Sequence, residues 1–280
     1  MQDKSAYWTP PLMFLHSNGT AEVVPEYGLV VYYSLNGDNI QTFPEGFQII
    51  AGAAMRRSFT PPIPDPPKSG WTAKDMTQQA LAQRATGCNC LTNQIDKIEG
   101  AHERHFLHEK SFLDANCNQG LRMELMFLSC WNGKDIDLPD HKSHLAYPNL
   151  VNLGEYPPGF ETRVPSLLYE SYWDTYKYKD VDRRFVIGNG DTTDYGFHGD
   201  FMIGWDAAFL QKAIDTCTNP SGNIEGCPLF KIQSPEDAAR CHFVVPEPLI
   251  ADECGGPRKG LCGNVTVDPS AARKSRLFRM

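Results

Sequence analysis

Apolar residues recur at every second position in several short stretches of this chain. In "LRMELMFLSCW", Leu121, Met123, Leu125 and Phe127 fall on one face of an extended strand, and Arg122, Glu124, Met126 and Leu128 on the other. "GLVVYYSL", "VPSLLYESYW" and "RRFVIGNG" are rich in β-branched and aromatic residues and read as further strands. The "NGDN" turn after "GLVVYYSL" predicts a hairpin between Gly28–Leu35 and Ile40–Phe43. The pattern shifts over 72–112, where "AKDMTQQALAQRA" and "NQIDKIEGAHERHFLHEKSFL" have helix-forming composition. The clearest helix is "WDAAFLQKAIDTCT", with Asp206 placed to cap its start. Residues 59–70, "FTPPIPDPPKSG", predict an extended, exposed connector.

These elements predict a mainly β fold, a β-sandwich of jelly-roll type with a short helical insertion and one helix after the last core strand. One β-rich domain is expected over 1–245, interrupted by the Pro-rich connector 59–70 and the helical insertion 72–112. An irregular C-terminal tail with a solvated basic end is expected over 246–280. The 280 residues, 21 prolines and 23 glycines fit many short strands joined by turns.

A formal net charge of −8 argues against nucleic acid as a partner, because an acidic chain repels phosphate. No stretch approaches the roughly 18 apolar residues of a membrane-spanning helix. Nine cysteines and two sequons, "NGT" at Asn18 and "NVT" at Asn264, point to disulfides, glycosylation and the secretory pathway. "MQDKSAYWTPP" lacks a basic segment followed by an apolar one, so an export signal is expected upstream of Met1. Spacing lets Cys217 close a loop with Cys227, and Cys254 with Cys262; Cys117 and Cys130 flank the 121–128 strand, and an odd count leaves one thiol over.

Two stretches gather chemistry. "DHKSHLAYP" brings Asp140, His141, His144 and Tyr147 into one turn-rich region, enough for acid–base work or metal ligation. Its alternative is a local turn in which Asp140 and Ser143 bond to the backbone. "NGDTTDYGFHGDFMIGWD" puts His198 and Asp200 on one strand face, with Asp191 and Asp194 upstream and Trp205 and Asp206 downstream. Gly196, Gly199 and Gly204 imply close backbone approach, bulges or a surface cleared for a ligand. Here the alternative is a His–Asp pair bracing a bulged strand. "HERHFLHEK", with His102, His105 and His108, lacks the HExxH spacing and reads as a solvated helix face.

The strings "DKSAYWTPPLMF", "FPEGFQIIAG", "LMFLSCWNGKDIDLPDHKSHLAYP", "VPSLLYESYWDT" and "NGDTTDYGFHGDFMIGWD" together resemble a fungal secreted family known as domain of unknown function nineteen-ninety-six. The resemblance runs from Asp3 to about Cys241. It implies a secreted or wall-associated protein, sometimes joined to sugar-binding modules, with no established activity. The positions matching the family are Asp140, His141, His144, Asp191, His198, Asp200 and Asp206. Members carry an upstream His-x-His that this chain does not contain, so the chain is expected to be N-terminally truncated. Where members carry a cysteine and a histidine, this sequence has Tyr156 and Phe160, which would orphan a cysteine partner.

The expected function is action on, or binding of, a polysaccharide or cell-wall glycan by an extracellular protein through a His/Asp-rich site. Asp140, His141, His144, His198 and Asp200 are the candidate catalytic groups of a hydrolase or lyase. Trp131, Tyr147, Asp191, Trp205 and Asp206 are candidate ligand contacts, with Trp173 a further platform. The alternatives are a zinc or copper centre on His141, His144 and His198, and a non-catalytic structural wall protein.

Overall fold

The computed structural model describes residues 2–242, 244–252 and 255–268. The described chain is mainly β. Its strands are β1 (Ala6–Trp8), β2 (Leu12–His16), β3 (Thr20–Val23), β4 (Glu26–Ser34), β5 (Gln48–Gly52), β6 (Thr86–Cys90), β7 (Leu121–Met126), β8 (Cys130–Trp131), β9 (Leu145–Ala146), β10 (Thr162–Arg163), β11 (Ser166–Trp173), β12 (Arg183–Ile187), β13 (His198–Met202) and β14 (Arg258–Lys259). Four short α-helices join them: α1 (Gln78–Arg84), α2 (Lys110–Asn116), α3 (Ala207–Thr216) and α4 (Pro235–Arg240).

All sheets are antiparallel. The largest runs β4-β11-β7-β6, another β12-β2-β3-β14, and the smaller ones β1-β13-β5 and β10-β8-β9. Alternation along β7 follows the predicted register: Leu121, Met123 and Leu125 are fully buried beneath the sheet. With Leu167, Tyr169 and Trp173 of β11 they form the inner face of the large sheet and enter the main core. The β1-β13-β5 sheet packs onto that face. Tyr7 meets both Tyr169 and Phe201, and Tyr169 Oη donates to the Asp200 carbonyl at 3.1 Å. The two sheets therefore turn their remaining faces outward in opposite directions.

Two segments depart from expectation. Gly28–Leu35 does not pair with Ile40–Phe43; instead β4 pairs along its length with β11, from Ser34↔Ser166 to Glu26↔Trp173. Residues 40–43 are irregular, held by Gln41 N–H to the Arg163 carbonyl and Thr42 N–H to Gln211. Strand β11 gives β4 an eight-residue antiparallel ladder, longer than the four residues 40–43 could supply. Region 72–112 is also not simply a helical insertion. Between α1 and α2 it contributes β6, an edge strand of the large sheet. His102, His105 and His108 lie on irregular backbone, not on a helix. His105 is buried, bonded to the Thr86 carbonyl and Asp65, and His108 stacks on Phe112. Partners inside the fold, rather than water, satisfy the imidazoles of His105 and His108.

The connector over 59–70 forms no strand. Its Asp65 reaches the buried Arg84 guanidinium at 3.0 Å, which Asp75 also grips. Helix α3 starts as predicted, with Asp206 accepting from Phe209 N–H at 2.8 Å. Disulfides join Cys217–Cys227, as spacing suggested, and Cys90–Cys117. The suggested Cys254 pairing and the basic C-terminal end lie outside the described residues. Cys88, Cys130 and Cys241 are free. Cys130 accepts from the buried Arg163 guanidinium, and the Tyr156 ring covers the same guanidinium at 5.4 Å. No helix among the described residues is long and apolar enough to cross a membrane.

Candidate functional site

Strand β13 is the middle of its sheet, with β1 on one side and β5 on the other. Trp8 stands directly across from Asp200, and Asp200 directly across from Ile50. Gly199 and Phe201 point inward and are buried; His198 and Asp200 point outward and are half-buried. The alternation read in "FHGDF" therefore holds. Trp8, 47% exposed, sets its ring edge-on to His198 at 5.6 Å between centroids.

The glycines do not clear room for a ligand. A Cβ on Gly199 would meet Leu125 and the Trp8 carbonyl at 2.9 Å, and one on Gly204 would meet the Lys4 backbone at 2.1 Å. Their role is close packing inside the fold.

The "DHKSH" block reaches this face from the β5 side. His141 C=O accepts from Ile50 N–H at 2.9 Å, and Ile136 C=O from Gln48 N–H at 3.3 Å, so the loop lies along the β5 edge. Asp140 Oδ1 takes three bonds from its own turn, from Lys142 N–H, Ser143 N–H and Ser143 Oγ. That turn holds His141 at φ 51°, an uncommon backbone for a residue with a side chain. Its imidazole Nδ1 meets Asp137 Oδ1 at 2.6 Å, and Lys142 Nζ donates to the Gly52 carbonyl at 2.5 Å. The two blocks, some fifty residues apart, thus meet at β5. Asp200 feels His198, His141 and Lys142 as its nearby positive groups.

Electrostatics separates the two aspartates. Burial pushes the Asp200 carboxyl up from its ordinary value, against the pull of His198, His141 and Lys142. The Ser143 backbone bond, first among several, holds Asp140 below its ordinary value. Burial lowers His198. Its Nδ1–H donates to the Gly196 carbonyl at 2.9 Å, leaving Nε2 with a lone pair toward the open face. A neutral imidazole acceptor and a carboxyl inclined to keep its proton thus sit two residues apart on one strand face. Such a pair can exchange hydrogen bonds, or a proton, with a ligand resting against Trp8.

Other expected residues lie elsewhere. His144 is fully buried, its ring against Phe47 at 5.1 Å, with both nitrogens unpartnered. It turns into the core and does not join His141 and His198. Among the described residues no group of three or more His, Cys, Asp or Glu side chains is placed to hold a metal ion. Tyr147 is buried and donates to the Met126 carbonyl. Asp191 is fully buried and shapes the loop before β13, accepting from Thr193 N–H, Thr193 Oγ1 and Gly196 N–H. Trp131 is half-buried and bonded to the Asp135 carbonyl. Trp205 stacks on Phe209 and donates to Tyr33, and Asp206 is spent as the cap of α3. Trp173 is in the core. None of these residues faces the β13 surface. Sequence reasoning missed Trp8, Asp137 and Lys142. The signal for Lys142 lay inside "DHKSH", but Trp8 joins the site through a pairing across almost two hundred residues.

The structure defines a mainly β domain with an open aromatic, histidine and carboxylate face on a three-stranded sheet. The family described as Domain of unknown function (DUF1996) matches residues 1–205, and the chain belongs to it. No curated protein and no solved structure matches the chain.

Proposed function

We propose that this domain binds polysaccharide on the Trp8–His198–Asp200 face, as a jelly-roll-type domain of a secreted or wall-associated fungal protein. The carrying observation is the half-exposed Trp8 ring set beside His198 and directly across from Asp200. An indole gives an apolar platform for a sugar face, while His198 Nε2, the Asp200 carboxyl and Lys142 offer hydrogen bonds at its edge. The test is co-sedimentation with insoluble glucan, chitin and mannan. The wild type is expected to pellet with at least one of them, and Trp8→Ala to weaken that binding about tenfold, some 1.4 kcal/mol. Equal binding by Trp8→Ala would sink the proposal.

A second reading has support in the opposed shifts of Asp200 and His198: the same face cleaves the polymer, with Asp200 as acid and His198 as base. It requires His198→Ala to abolish product release.

A further inference from the structure

Among the described residues, two cations on the β5 side of the Trp8 face have no carboxylate within ion-pair reach. Lys142 is half-buried, and its Nζ donates to the Gly52 carbonyl. Gly52 is directly across from His198, whose ring meets Trp8. Arg56 lies in the turn that follows β5, closed by its own N–H to the Ala53 carbonyl at 2.9 Å. It is half-buried as well, and its Nη1 donates to the Ala82 carbonyl at 2.9 Å. The acids nearby are engaged elsewhere. Asp140 Oδ1 takes three bonds from its own turn, and Asp137 pairs with His141 at 2.6 Å. Arg57, one residue on, shows the contrast: its Nε meets Asp268 at 3.2 Å and the buried Asp191 at 3.7 Å.

Burial lowers Lys142 from the ordinary lysine value, and the Arg56 charge lowers it further, against the pull of Asp140 and Asp200. A half-dehydrated ammonium beside a second cation is a standing cost that an arriving anion removes. The net charge of the chain, −8, does not attract polyanions, so the attraction is local to this edge.

We propose that the Trp8 face selects polysaccharides built of uronic acid units, with the Lys142 ammonium taking the sugar carboxylate and Arg56 supporting it. The inference rests on the glycan-binding reading of this face and names its substrate class. Its basis is the order across the sheet: Trp8 on β1, His198 on β13, then Lys142 at the far edge of β5. Two strand spacings, roughly 10 Å, separate the backbones of β1 and β5, and the Trp8 ring narrows that gap by leaning on His198. A hexuronate stacked on the indole carries its carboxylate at the ring edge, over His198 and toward Lys142. The carboxylate accepts a charge-assisted bond there. A neutral sugar keeps the stacking contact and lacks that bond. A carboxylate joined straight to the stacked ring arrives at a fixed height, whereas a sulfate or phosphate ester hangs from a rotatable oxygen and has more freedom to lose.

The test is affinity electrophoresis of the full chain through gels holding polygalacturonate, alginate, dextran sulfate, phosphomannan or the neutral laminarin and glucomannan, with EDTA to keep the uronates from gelling. The wild type is expected to bind at least one uronate polymer about tenfold more tightly than either neutral polymer at low salt. That preference should shrink as NaCl rises to about 0.5 M. In Lys142→Gln the ratio of uronate to neutral affinity should fall to near one, while Lys142→Arg should retain most of it; thermal melts show whether the variants are folded. Arg56→Gln keeps the Gly52 contact and gives an independent arm, with the ratio reduced about threefold. Equal affinity for uronate and neutral polymers overturns the inference and leaves the binding proposal standing. Binding to no polymer, acidic or neutral, sinks both. A uronate preference that survives in folded Lys142→Gln overturns the inference by placing the carboxylate elsewhere. Dextran sulfate or phosphomannan held as tightly as the uronates overturns it by showing a general polyanion patch.

Discussion

The two outward faces differ in how they are made. The Trp8 face takes its polar groups from β13 and from a loop laid along β5, and it is half open to solvent. On the outer face of the large sheet, Glu124 of β7 and Glu170 of β11 are brought together by strand register and nearly closed, with His102 N–H over Glu124, Glu124 fully buried and Glu170 6% exposed. A loop-built site tolerates change because its neighbours already contact water. A ladder-built one commits charges to a dry interior, where each depends on the others.

That contrast is broken or sharpened first by stability. Glu124→Ala removes one member of a buried charge set and leaves Arg122 facing Glu170 with its geometry lost. A destabilisation of about 3–5 kcal/mol is expected by urea unfolding. His198→Ala, on the half-open face, is expected to cost about 1 kcal/mol or less. Similar costs for the two would erase the distinction.

Gly199→Ala probes the layer between the faces. Its new methyl meets Leu125 Cδ2 and the Trp8 carbonyl, each at 2.9 Å. Only the leucine can give way, so a loss of about 1–3 kcal/mol is expected. Because the Trp8 backbone is pushed too, glycan pelleting should weaken along with stability, whereas Gly87→Ala should disturb only the opposite face, where its Cβ meets Glu124 at 2.4 Å. Pelleting that is insensitive to Gly199→Ala would show that the Trp8 position does not depend on this packing.

The same contrast explains what could be read along the chain. Period-two runs exposed β7, β11, β12 and β13, and the aspartate cap exposed the start of α3, because each signal is local. "DHKSH" and "YGFHGDF" stood out because loops concentrate rare polar residues. That the two blocks share a site is an expectation drawn from family resemblance, not from spacing; that they meet at β5 is seen only in the fold. Glu124 and Glu170 were in plain view as outward residues of two strands, yet nothing local says that β7 and β11 are neighbours in this register. The 28–43 hairpin failed for the same reason, since β4 finds its partner more than a hundred residues away. His144 looked like a ligand because it follows His141 by three residues, but its backbone has already turned into the core.

The smallest expected effect is a pH dependence confined to the open face. His198 is lowered by burial, so the folded protein binds its proton less readily than the unfolded chain. Stability contributed by the neutral imidazole is therefore full above the ordinary histidine value and is lost as pH falls from there toward the lowered one. Asp200 is raised, so the folded protein holds its proton more readily; stability falls as pH climbs from the ordinary aspartate value to the raised one, and stays level beyond. Asp200, Lys142, Arg57 and the Gly196 carbonyl act on His198, and His198, His141 and Lys142 act on Asp200, so each substitution also shifts the other group. His198→Gln should flatten the acid side of a pH–stability curve just below the ordinary histidine value, and Asp200→Asn should remove the small decline just above the ordinary aspartate value. In the wild type, pelleting should change between the ordinary aspartate and histidine values, the range in which the two groups gain or lose their protons. A flat binding profile across that range would mean that neither group touches the glycan, leaving Trp8 and Lys142 as the contacts.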